Sequence, residues 1–131
     1  MNDDGVTRLR RVIARLAQQL NSSATDEGLT PTQASVLALV VARGPVSLGE
    51  LAALEGLNPT MLSRVVGKLE EAALIQRQLD PGDRRATLVE VTDDGGRVLD
   101  AIRGSEAERV FGRLTPADRS HLARILGQIR E

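Results

Sequence analysis

The sequence predicts a mainly α-helical fold with one small β-hairpin. Along most of the chain, apolar residues recur every three or four positions, the spacing of one helix face. The period falls to two only near residues 75–79 and 87–91, as half-buried strands require. Aromatic residues make up 1% of the chain, a single Phe with no Tyr or Trp. The core is therefore Leu, Val, Ile and Ala, which suits packed helices.

Val6, Leu9, Ile13, Leu16 and Leu20 form one stripe on a first helix, with Arg8, Arg11 and Arg15 off it. Residues 21–28 read as a polar connection. Thr30-Pro31-Thr32-Gln33 opens a second helix, with Thr30 as cap, Pro31 at the first helical position and Gln33 completing a capping box. Its buried face is Val36, Leu37, Val40 and Val41. Gly44, as a left-handed terminal residue, and Pro45, as a breaker, are expected to stop it. Ser47-Leu48-Gly49-Glu50 reads as another capping box before a short helix carrying Leu51, Ala52 and Leu54, which Gly56 ends.

Asn58 and Pro59 open the next helix, in which Leu62, Val65, Val66 and Leu69 face inward. Strands follow at Ile75–Leu79 and Thr87–Val91, around a polar loop from Asp80 to Arg85. Thr92-Asp93-Asp94 caps a long fifth helix with apolar positions Val98, Leu99, Ile102, Val110, Phe111 and Leu114. Thr115-Pro116 starts a last helix carrying Leu122, Ile125, Leu126 and Ile129. Two short helices joined by a turn and followed by a hairpin make a winged helix-turn-helix, with no separate domain boundary in the 131 residues.

Composition narrows the chemistry. At 41% hydrophobic and 27% charged, the chain has an ordinary globular balance. Without cysteine, disulfides, thiolate metal sites and thiol redox switching are excluded. No signal-peptide core or spanning apolar run appears, so no membrane partner and a cytoplasmic location are expected. The formal net charge of -1 gives no support to nucleic-acid binding by itself. That case rests on where the basic residues stand.

The second helix of a helix-turn-helix fits the DNA major groove and points its N-terminal end at the bases. Here that end is Asn58, Pro59, Thr60 and Met61, with Ser63, Arg64 and Lys68 further along. Thr60, Arg64 and Lys68 share one side. Arg64 suits guanine, because its fork meets two acceptors at once, and Lys68 suits a phosphate. On the hairpin, Arg84 and Arg85 would reach an adjacent minor groove, with Asp83 orienting or pairing with an arginine. Taken singly, these are an ordinary wet helix face and a solvated turn. Their specificity lies in the set.

From Leu29 to Leu99 the chain resembles the MarR (multiple antibiotic resistance regulator) family of bacterial repressors. The matching pieces are Leu29 to Gln33, Glu50-Leu51-Ala52, Thr60 to Glu70, Leu74 to Arg77, Asp80 to Arg85 and Val91 to Gly95. Asp83-Arg84-Arg85 shortly before a strand is the most specific of them. The resemblance implies a DNA-binding core at about 30–91, with dimerisation helices at about 5–22 and 92–131. It implies a homodimer on a pseudo-palindromic double-stranded DNA operator, in which Thr60, Met61, Ser63 and Arg64 meet the major groove. Arg85 would enter the minor groove, held by Asp83.

Many members leave DNA on binding a small, frequently aromatic effector, a further partner the resemblance implies; no cofactor or metal is expected. The chain departs from the family at Ala73, where glycine is usual, and in lacking the Tyr and Trp that commonly line an effector pocket.

Two other classes are weighed. No Ser, His and acid arrangement or phosphate loop is present, and His121 is the only histidine, so an enzyme is not expected. A winged-helix module that binds protein instead of DNA shares the fold, and the paired wing arginines argue against it.

Overall fold

Local capping chemistry sets where most helices begin. A computed structural model describes residues 3–129, apart from the side chains of Asp3 and Arg84. The elements are α1 (Asp3–Asp26), α2 (Pro31–Arg43), β1 (Val46–Ser47), α3 (Leu48–Glu55), α4 (Pro59–Glu71), β2 (Ile75–Asp80), β3 (Asp83–Val91), α5 (Asp93–Arg109) and α6 (Pro116–Leu126).

At α2 the capping box is complete: Thr30 Oγ1 accepts from the Gln33 amide at 3.1 Å, and Gln33 Oε1 accepts from the Thr30 amide at 3.0 Å. Thr115 and Asp118 repeat it at α6, the helix that the sequence starts at Thr115-Pro116. Ser47 Oγ accepts from the Glu50 amide at 3.1 Å, which is the forward half of the expected box.

Three helices end in the same backbone motif, a left-handed residue followed by a bond back to the last turn. After α1, Leu29 N–H donates to Ala24 O with Gly28 at φ 80°; after α3, Leu57 N–H donates to Ala52 O with Gly56 at φ 70°. After α4, Leu74 N–H donates to Leu69 O and Ala73 N–H to Glu70 O, with Ala73 itself at φ 61°. The alanine thus adopts a conformation that glycine takes without steric cost.

Several boundaries differ from the sequence reading. Helix α1 continues through residues 21–26, where the Ser22 and Ser23 hydroxyls turn back to the carbonyls of Gln18 and Gln19. Gly44 is extended, at φ -72° and ψ 152°, since the residue before a proline is driven out of helical space. Helix α5 stops at Arg109, where Phe111 N–H folds back to Glu106 O, so Val110, Phe111 and Leu114 lie in the following turn. Ile129 lies beyond the end of α6. Strand β1 is an addition.

The chain forms two compact units, one from Ala24 to Ile102 and one from the residues up to Ser23 with those from Arg103 onward. In the first, the winged unit, the sheet runs β1-β3-β2 with all pairs antiparallel. Val46 pairs with Val89, and Ile75 with Val91. The core joins Val36, Leu37 and Val40 of α2, Leu51 of α3, and Leu62, Val66 and Leu69 of α4. Val46, Ile75 and Val89 of the sheet and Leu99 and Ile102 of α5 complete it. Each buried side chain contributes about 2 kcal/mol.

In the second, helical unit, buried Ser23 Oγ lies within hydrogen-bond distance of Ser105 Oγ, at 3.2 Å. Burial pushes the Glu106 carboxyl above its usual range, against the opposing pull of Arg103. Val6, Leu9, Val12 and Ile13 of α1 stay about half exposed, as do Ile125 and Leu126 of α6. Phe111, Arg119, Leu122, Ala123 and Leu126 line a cavity of about 330 Å³, and the Arg119 guanidinium donates to Phe111 O at 3.2 Å.

Candidate nucleic-acid interface

The start of α4 is built by Asn58, whose side-chain oxygen accepts from the Met61 amide at 2.8 Å, and by Pro59 at the first helical position. Leu62, Val66 and Leu69 anchor the inner face at 1% exposure or less. That anchoring turns Thr60, Met61, Ser63, Arg64 and Lys68 to the outside, with Asn58 and Pro59 exposed at the tip. Met61 is 50% exposed, an apolar side chain among polar neighbours. First-turn amides and the helix dipole give this end a positive bias suited to an anion.

Arg64 has no ion pair among the described residues. Lys68 Nζ sits 3.7 Å from Glu71 Oε2, with both side chains largely in solvent, so the pair is weak and leaves the lysine free to move. Ser35 Oγ donates to Glu55 Oε2 at 2.9 Å, fastening α2 to α3.

The wing is longer than the alternation suggested. Strand β3 begins at Asp83, and only Pro81 and Gly82 remain as turn, so Arg84 and Arg85 lie on a strand and not in a loop. Pairing steps from Leu79↔Thr87 to Asp80↔Asp83, which makes residues 84–86 surplus on β3, a bulge. Asp83 Oδ1 accepts from the Arg85 backbone amide at 3.0 Å, so the carboxylate shapes the chain at the bulge. The Arg84 side chain lies outside the described residues. Arg85 is exposed.

Leu79 is 66% exposed, contrary to the inward position that alternation gave it, because the outer half of the hairpin extends past the core. Arg77 Nε reaches Glu70 Oε1 at 3.4 Å and ties β2 to the last turn of α4; sequence spacing gave no signal for this pair. Nor did it reveal the contacts of Thr92. Its hydroxyl donates to Ala73 O at 2.7 Å and accepts from the Gly95 amide at 3.1 Å. Its own amide donates to Leu74 O at 3.1 Å.

Comparison with known proteins decides the family. The MarR family model matches residues 29–87. The uncharacterized HTH-type transcriptional regulator YkoM of Bacillus subtilis is 30% identical, over 95% of this chain and 88% of that protein. The chain belongs to the MarR family. As a MarR protein it is a transcriptional regulator and not an enzyme.

Among solved structures, the transcriptional repressor CouR bound to a 23-mer DNA duplex has a TM-score of 0.78 at 28% identity, covering 92% of this chain and 87% of that one. CouR from Rhodococcus jostii RHA1 bound to p-coumaroyl-CoA has a TM-score of 0.72 at 30% identity, covering 96% and 90%. Among the described residues, no helix of this MarR chain is long and apolar enough to cross a membrane.

Proposed function

We propose that this MarR chain represses transcription by binding duplex DNA as a homodimer, with α4 in the major groove and the β2–β3 wing in the neighbouring minor groove. One observation carries this: the exposed face of α4, with Arg64 free of any ion pair among the described residues, belongs to the same unit as an arginine-bearing bulge. CouR, a repressor of the same fold and 28% identity, has been solved on a DNA duplex.

Within this scheme Arg64 reads guanine and Met61 meets a thymine methyl, while Thr60 and Ser63 make adaptable hydrogen bonds. Asn58 and Pro59 let the backbone approach, and Lys68 neutralises a phosphate. Arg85, with Arg84 beside it, enters the minor groove, and Asp83 sets the backbone that aims Arg85. Residues of about 30–91 form the DNA-binding part; about 5–22 and 92–131 supply the dimer. The half-exposed Val6, Leu9, Val12 and Ile13 support the pairing, since a stripe left uncovered within one chain is suited to a second copy.

Dimer half-sites then lie about ten base pairs apart. The protein works in the cytoplasm, where its DNA is. Small-molecule control belongs to the same scheme: CouR has been solved with p-coumaroyl-CoA, and the aliphatic cavity beside Phe111 is large enough for part of an organic ligand.

Selection of bound fragments from a genomic library, followed by footprinting, tests the scheme. Arg85→Ala should weaken binding to the recovered duplex about tenfold, with helicity and dimer unchanged. Equal retention of random duplex and selected duplex by wild-type protein would overturn it.

A further inference from the structure

Thr92 stands where the recognition helix, the wing and α5 meet. Ala73 closes α4, Leu74 leads into β2, and Gly95 lies in the first turn of α5. The Thr92 backbone amide holds Leu74 O at 3.1 Å, while its hydroxyl holds Ala73 O at 2.7 Å and the Gly95 amide at 3.1 Å. A hydroxyl has one proton to give and lone pairs to receive with, and here both capacities are used at once.

Capping α5 needs only the acceptor half. The donated bond to Ala73 does something else: it fastens the end of α4 to the start of α5. Gly95 gives a second and independent sign of close approach. It is buried, and a methyl group on it would collide with Leu74 O and come within 2.7 Å of Val91 Cγ2.

We infer that the Thr92 hydroxyl is a positioning group for DNA recognition, setting the angle between α4 and the wing by pinning the α4–β2 junction to the first turn of α5. The two DNA-facing elements are joined in sequence only through residues 72–74. That joint contains a left-handed alanine at φ 61°, a strained conformation that persists only where its surroundings hold it. With the pin in place, Arg64 on α4 and Arg85 on β3 are presented as one surface. Without it, each arginine keeps its chemistry and loses its register with the other. The inference rests on the DNA-binding function proposed above.

The test compares wild type, Thr92→Val and Thr92→Ser by fluorescence anisotropy on the duplex that wild-type protein selects, with a scrambled duplex as control. Valine keeps the shape and removes the hydroxyl; serine keeps the hydroxyl. Expected are a loss of about tenfold for Thr92→Val on the selected duplex, no change on the scrambled one, and affinity within twofold of wild type for Thr92→Ser.

The decisive readout is coupling. In an Arg85→Ala background, Thr92→Val should cost less than threefold, because the wing contact it positions is already gone. A loss of equal size in both backgrounds, or Thr92→Val binding within twofold of wild type, overturns the inference. Failure of wild-type protein to prefer any duplex would instead overturn the DNA-binding function itself. If Thr92→Val does not yield folded dimer, the same comparisons are made with Thr92→Asp, whose carboxylate still caps the Gly95 amide but has no proton to donate to Ala73 O.

Discussion

Ala73 carries a conformation that two glycines carry elsewhere in the same chain. Gly28 and Gly56 close α1 and α3 at φ 80° and 70°, and Ala73 closes α4 at 61°. The alanine methyl crowds its own carbonyl there, at a cost of about 1 kcal/mol that glycine avoids. Ala73→Gly should therefore raise stability by about 1 kcal/mol, seen as a melting temperature about 3 °C higher. An unchanged or lower melting temperature would mean that the strain is relieved elsewhere. This position was legible in the sequence, because an alanine stands where the resemblance has glycine. The Thr92 hydroxyl was only half legible. Its cap of α5 is a local signal, whereas its bond to Ala73 spans 19 residues and depends on the folded sheet. Gly44 misled for a physical reason: Pro45 after it overrides the left-handed preference of a helix-terminal glycine.

Elements with local causes were readable, and those with distant causes were not. The caps of α2, α3, α4 and α6 each involve a side chain three residues from its partner amide. Strand β1 has only two residues and exists through pairing with Val89 and Leu88, more than forty positions later. The bulge on β3 escaped for a similar reason, since alternation says nothing about surplus residues. The cap of α4 yields a prediction that separates fold from function. Asn58→Asp keeps an acceptor for the Met61 amide and places a carboxylate at the positive end of the helix, so stability should hold or rise by about 0.5 kcal/mol. The same carboxylate would face phosphate, and affinity for the selected duplex should fall at least tenfold. Undiminished affinity in a folded Asn58→Asp protein would place DNA away from this end of α4.

Across the whole molecule, charge is divided in a way that the net value of -1 conceals. Residues 24–102, the winged unit, hold seven basic and twelve acidic side chains, while the remaining residues hold ten basic and six acidic. Within the winged unit Arg77 and Arg97 are each paired with a nearby carboxylate, while the weak Lys68–Glu71 pair leaves Lys68 available to a phosphate beside the wing arginines. A DNA-binding unit of this kind has few cations to offer phosphates. Each neutralised phosphate contributes a slope of about -0.9 to the logarithmic dependence of affinity on salt, so the dimer should show only about -5. Filter binding or anisotropy from 50 to 300 mM salt measures it. A slope steeper than about -9 would mean that cations outside α4 and the wing also meet the backbone. Affinity for random duplex should be correspondingly low, leaving discrimination to base contacts. The sequence showed where the wing arginines stand, but the partition of charge between units emerged only once the fold had drawn their boundary.

The uncovered aliphatic stripe on α1 has a thermodynamic consequence. If its burial comes only from a second copy, folding and association are one equilibrium, and mass action governs both. Melting temperature should then climb with protein concentration, and dilution alone should favour unfolding. Identical melting curves at 1 and 100 μM would show that a lone chain is already content with that stripe in water.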